Sequence, residues 1–77
     1  NPFRSYTRVA FALPRSGQVR LVVYDALGRE IRELHDGNLS AGRHEIEFRA
    51  GHLANGIYFY RLETAGSSFV GKMIRIE

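Results

Sequence analysis

The sequence predicts an all-β domain, an antiparallel β-sandwich of six or seven strands. Two observations carry this prediction. Apolar and polar residues alternate at period two along most of the chain, and Gly, Pro, Asn and Ser break the alternation about every 10–15 residues. A third observation bounds it: 77 residues, 44% hydrophobic and 25% charged, suffice for one globular domain with a thin core.

The strands follow in order. Val9, Phe11 and Leu13 share one face of a first strand, which Pro14-Arg15-Ser16-Gly17 ends with turn chemistry. Val19, Leu21 and Val23 share a face of the second, with Val22 and Tyr24 opposite. Leu27, Ile31 and Leu34 have helical spacing, with Asp25 placed as an N-cap and Gly37 as a stop. Gly28 in the first turn opposes a helix, so the segment is read as a turn at Ala26-Leu27-Gly28 and a short strand from Glu30 to about Leu34. Asp36-Gly37-Asn38 and Ser40-Ala41-Gly42 read as loops around Leu39. His44, Ile46 and Phe48 alternate with Glu45, Glu47 and Arg49, which gives a half-buried strand with one wet face. Ile57 to Leu62, opened by Gly56, is apolar on both faces and reads as a central strand. The last strand runs from about Ser68 to Ile76, after a turn at Ala65-Gly66-Ser67. Residues 1–6 read as a lead-in from a linker, extended by Pro2, and residues 7–77 as the domain, with an immunoglobulin-like arrangement.

Composition excludes several functions. With no cysteine there is no thiol chemistry, no Cys-based zinc site and no disulfide scaffold. No apolar stretch reaches the roughly 18–20 residues of a membrane-spanning helix. Without an initiator Met, the chain reads as a piece cut from a longer one; it carries no basic-then-apolar leader, which would sit at the N-terminus of the parent. The net charge of +3 comes from cations spread along the whole chain, of which Lys72 is the only lysine. They interleave with glutamates, as in Glu30-Ile31-Arg32-Glu33, so no clustered patch for nucleic acid is expected.

The search for catalysis returns little. His35, His44 and His52 match no ligand spacing, and Asp25, Asp36 and Asn38 form no calcium loop; turn-forming roles explain them. There is no Gly-x-Ser-x-Gly, and a sandwich this small is expected to lack depth for a substrate pocket. No enzyme activity, cofactor or metal is expected. Tyr58, Phe59, Tyr60 and Phe69 read as core and cross-strand pairs rather than a sugar-binding platform.

Six pieces then stand in order: Asn1-Pro2-Phe3, Leu13-Pro14-x-x-Gly17, Val23-Tyr24-Asp25-x-Leu27-Gly28-Arg29, Ser40-Ala41-Gly42-x-His44, Leu53-Ala54-x-Gly56-Ile57-Tyr58-x-Tyr60-Arg61 and Lys72-Met73-Ile74. Together they resemble the type A C-terminal sorting domain of the type IX (Por) secretion system, over nearly the whole chain. A related pattern occurs in the immunoglobulin-like domain of the flagellar hook-capping protein. Arg4-Ser5-Tyr6 departs from the family's usual polar, Pro-containing continuation before Thr7. The resemblance implies a domain at the C-terminus of a protein exported by a Bacteroidota-like bacterium. It implies a covalently linked N-terminal passenger, passage through the periplasm, docking on an outer-membrane translocon, and removal by a surface protease at the cell surface.

On that resemblance, the candidate recognition residues are Leu13, Pro14, Gly17, Asp25, Gly28, Arg29, Gly56, Tyr58, Arg61, Lys72, Ile74 and Ile76. Gly28 and Gly56 are expected in conformations reserved for glycine, Arg29 to pair with Asp25, and Arg61 to share a face with Ile57 and Phe59. Lys72 alternates in register with Val70, Ile74 and Ile76, which puts its charge on the expected core face of the last strand, there to be read by the translocon or to guard a sheet edge. Two other readings remain at this stage: an accessory carbohydrate-binding or spacer module of a polysaccharide-degrading enzyme, and a structural domain that assembles into oligomers.

Overall fold

The computed structural model describes residues 2–76. Among them 71% lie in strands and none in a helix. The strands are β1 (Pro2–Phe3), β2 (Tyr6–Leu13), β3 (Gly17–Asp25), β4 (Glu30–Leu39), β5 (Gly42–Arg49), β6 (Gly56–Glu63) and β7 (Ser68–Arg75). They form a five-stranded sheet in the order β1-β7-β6-β3-β4 and a two-stranded sheet, β2-β5. Every pairing is antiparallel except the short β1–β7 contact, which is parallel. Parallel neighbours need a long connection between them, and here most of the domain supplies it, because β1 and β7 lie at opposite ends of the chain.

The two sheets face each other over a core in two adjoining parts. Phe3, Val23, Phe48, Ala50, Tyr58 and Met73 fill one end, and Val9, Leu13, Val19, Leu21 and Leu62 the other. Leu34 and Tyr60 pack against both parts and join them. The alternation of β2, β3 and β5 is therefore obeyed as expected, and β6, between β3 and β7, is the central strand its two apolar faces implied. Val22, on the other face of β3, is also buried; it is flanked in register by Glu33 and Arg61.

Three expectations need correction. β4 does not stop near Leu34 but runs on to Leu39, through Asp36, Gly37 and Asn38, which had read as a loop. Pairing with β3 overrides their weak strand propensity: Gly17, Gln18, Val19 and Arg20 lie opposite Leu39, Asn38, Gly37 and Asp36, and the Gln18 amide donates to Asp36 at 2.6 Å. Second, Lys72 does not lie on the core face. Met73 is the buried residue of β7, and Val70, Lys72, Ile74 and Ile76 share the outer face, where Val70 is 63% exposed. Third, the sandwich does hold a sizeable cleft, of about 830 Å³. A two-stranded sheet is too narrow to cover a five-stranded one, since each strand adds only about 4.8 Å of width.

Candidate functional site

The candidate residues fall into three places. Leu13, Pro14 and Gly17 lie at one end of the sandwich, where the β2–β3 turn lines the cleft. Asp25, Gly28 and Arg29 form the β3–β4 turn at the opposite end; Asp25 pairs with Tyr58, and Gly56 opens β6 beside it. Arg61, Lys72, Ile74 and Ile76 lie on the outer face of the large sheet, away from the core.

The β3–β4 turn is built by one carboxylate. Asp25 Oδ1 accepts from the backbone amides of Leu27 (3.0 Å) and Arg29 (2.9 Å), and Oδ2 from Arg29 Nε (2.8 Å). The expected Asp25–Arg29 pair is thus present, with a backbone component that pattern reading did not supply. The Arg29 amide chiefly, then the Arg29 guanidinium and the Leu27 amide, hold the Asp25 carboxyl below its ordinary pKa. Gly28 has φ +86° and Gly56 φ +139°, as expected of positions reserved for glycine. The Tyr58 hydroxyl donates to the Ala54 carbonyl at 2.5 Å, tying β6 to the loop before it.

The outer face is divided by charge. Arg20 Nε lies 3.0 Å from Glu33, and its other nitrogens 3.5 Å from Glu30 and 3.7 Å from Glu63, so this cation is surrounded by carboxylates that raise its pKa. Arg61 and Lys72 form no ion pair among the described residues. Around them lie Ile57, Phe59, Val70, Ile74 and Ile76, three of which (Ile57, Val70, Ile76) are more than 40% exposed. Gly28, Tyr24, Phe59, Arg61 and Val70 line a shallow depression of about 240 Å³, which brings Gly28 and Arg61 together. Register explains the assembly: Tyr24 lies opposite Phe59 and Phe59 opposite Lys72, one row across β3, β6 and β7.

Among the described residues no three His, Asp or Glu side chains are placed to share a metal ion. His35 Nε2 contacts the Gly37 carbonyl, and His44 Nε2 contacts the Ser40 carbonyl while its ring stacks on Phe11. The aromatics Tyr58 and Phe59 point to opposite faces of β6, so they make no common platform.

One comparison decides the family. The family model described as "Secretion system C-terminal sorting domain" matches residues 1–77, the whole chain. The chain belongs to this family. No curated protein and no solved structure matches it. The sorting domain is the C-terminal signal for type IX secretion, and proteins that carry it are exported to the cell surface or beyond. Such domains are typically non-catalytic, and no helix here is long and apolar enough to cross a membrane.

Sequence reading missed four parts of this surface. Tyr24 and Val70 complete the outer depression, and Phe69 lines the cleft. Arg75 was missed as well: Nε donates to the Arg4 carbonyl (3.0 Å) and a terminal nitrogen to the Leu53 carbonyl (2.9 Å) and Asn55 Oδ1 (3.1 Å). No local pattern announces a contact between residues 4 and 75. The available signal for Tyr24 and Val70 was the strand pairing that puts both beside Phe59 and Arg61.

Proposed function

We propose that the type IX translocon reads this sorting domain through the outer face of β6 and β7, centred on Lys72 and Arg61. One observation carries the reading: apolar side chains that could have been buried are displayed beside two cations without ion-pair partners among the described residues. Exposed apolar groups rimmed by charge mark interaction surfaces. The partner fitting that surface carries acidic groups opposite Arg61 and Lys72 and apolar groups around them. In this reading the domain has no chemistry of its own; a passenger is linked ahead of it, and a surface protease removes the domain after export.

The test uses a fluorescent reporter fused ahead of residues 1–77, in hosts with and without a working type IX translocon. Deleting Lys72 onward would be uninformative, because Met73 belongs to the core and Arg75 ties down residues 4 and 53. Lys72→Glu combined with Val70→Asp changes only exposed positions. We expect both proteins to show the same β-sheet circular dichroism, and the variant reporter to remain in the periplasm. Undiminished export of the variant would remove the outer face from the recognition surface.

A further inference from the structure

The cleft has the form of a missing strand. Leu62 and Phe69 lie opposite each other on β6 and β7 and face inward, yet Leu62 is 5% exposed and Phe69 is 57% exposed. The difference is cover: the two-stranded sheet ends at β2, and among the described residues none lies over the first half of β7. The cleft between them is floored by Val19, Tyr60 and Leu62 and flanked by Phe11 and Phe69.

Its β2 side is an unused strand edge. β2 pairs with β5 in unbroken register through eight residues, Tyr6 opposite Arg49 to Leu13 opposite Gly42, and with no other strand. The Ala50 amide donates to the Ser5 carbonyl, which continues this register and fixes its phase. Backbone groups of successive residues turn to alternate edges. Those of Arg8, Ala10 and Ala12 therefore face the open side with N–H and C=O groups free of strand partners. Natural edges are usually blunted by Pro, Lys, a bulge or a short length. β2 has none of these, and Arg8 is its only charge.

Charge selects the occupant further. Among the described residues Arg15 is the only charged one that lines the cleft and no carboxylate does, while Arg8 lies on the same strand edge. We propose that the cleft is a strand-acceptor site: it takes an extended segment of a partner protein, apolar at alternate positions and acidic at its ends, as a third strand beside β2. The segment's backbone pairs with Arg8, Ala10 and Ala12. Its inward side chains cover Phe69, Tyr60 and Leu62, and its terminal carboxylates lie near Arg8 and Arg15. Strand addition of this kind draws affinity from main-chain hydrogen bonds and specificity from alternate side chains. The site is separate from the outer face of β6 and β7, and neither reading depends on the other.

The probe is a blocked peptide in which Val or Phe alternates with Thr between terminal Glu residues, added to the isotope-labelled domain. We expect it to slow hydrogen exchange at the amides of Ala10 and Ala12 and to shift the resonances of Phe69. Ala10→Pro removes one outward amide that no strand uses, and Phe69→Asn removes the exposed apolar wall. Each is expected to weaken the peptide by about tenfold or more, a change of roughly 1.4 kcal/mol, and a peptide ending in Lys is expected to bind more weakly. Should Ala10→Pro unfold the domain, the Phe69→Asn comparison alone decides. No protection at Ala10 and Ala12, or equal affinity for the wild type and Phe69→Asn, would overturn the proposal. Protection of those amides that rises with protein concentration alone would also overturn it, because the occupant would then be a second copy of the chain.

Discussion

At the scale of single residues, Asp25 and Gly71 carry predictions of different kinds. The Asp25 carboxyl titrates below its unfolded value of about 3.9 because the folded turn supplies the Arg29 amide, the Arg29 guanidinium and the Leu27 amide. Its contribution is therefore complete above that unfolded value and disappears as pH falls through the lower, folded one. Asp25→Asn keeps the shape and removes the charge. We expect its melting temperature to fall below wild type at pH 7, with the gap closing as pH falls through the lower, folded value; a constant gap would assign the effect to shape. Gly71 lies opposite Tyr60, whose ring crosses its backbone so closely that an added Cβ would sit 2.3 Å from ring carbons. Gly71→Ala is expected to cost about 1–3 kcal/mol in urea unfolding. In a Tyr60→Leu background the same change should cost less, which a double-mutant cycle measures. These residues also show why the face of Lys72 was misread. Both phases of the last strand carry apolar groups, Phe69 and Met73 against Val70, Ile74 and Ile76, and counting favours the second set. The structure chooses the first, because Gly71 makes room on the inner face for the Tyr60 ring. The Asp25–Arg29 turn was legible because its partners lie four residues apart.

At the scale of elements, the strands open to pattern reading were those with one wet face, β2 and β5, and the doubly apolar β6. β4 was legible only in its first half. Asp36-Gly37-Asn38 has the composition of a turn, and only the presence of β3 alongside, in unbroken register from Gly17 to Leu21, makes it a strand; the two register shifts lie instead opposite its first half, between Leu21 and Val22 and between Val23 and Tyr24. β1 was read as an extended lead-in, and its pairing with β7 depends on contacts between the two ends of the chain. Arg75 is the main polar side chain in that junction, with three acceptors on Arg4, Leu53 and Asn55. Hydrogen bonds from a charged donor contribute about 1.5–3 kcal/mol when sheltered, and this one is half-buried. We expect Arg75→Ala to cost about 1–2 kcal/mol in denaturant unfolding. Hydrogen exchange at the Ile76 amide, which donates to the Phe3 carbonyl, should speed up more than exchange in β3. Uniform acceleration would mean that Arg75 stabilises the whole domain and not this junction.

At the scale of the molecule, 77 residues without a disulfide leave little stability to lose. At roughly 0.05–0.15 kcal/mol per residue, a domain of this length has about 4–12 kcal/mol in total. The core has two parts, one around Phe48 and one around Leu21, so the ends of the sandwich could in principle unfold separately. Two features oppose that. Leu34 and Tyr60 each pack against both parts, and β3 runs through both, with Val19 and Leu21 in one and Val23 in the other. Damage at one end should therefore be felt at the other. Leu21 is fully buried and belongs to the other part of the core from Phe48, so Leu21→Ala tests this directly. We expect a loss of about 2–5 kcal/mol, roughly a quarter or more of the stability of a mid-range domain, and a single urea transition in which Tyr fluorescence and far-ultraviolet circular dichroism coincide. Native-state exchange should then show the amides of Val23 and Phe48 losing protection together with those of Val9 and Val19. If Phe48 kept wild-type protection while Val9 lost it, the two parts would be independent foldons, and a strand docked in the cleft would stabilise only the end it covers. With one cooperative unit, the same strand would stabilise the whole domain by linkage, the turn at Asp25 included, although that turn lies at the opposite end of the sandwich.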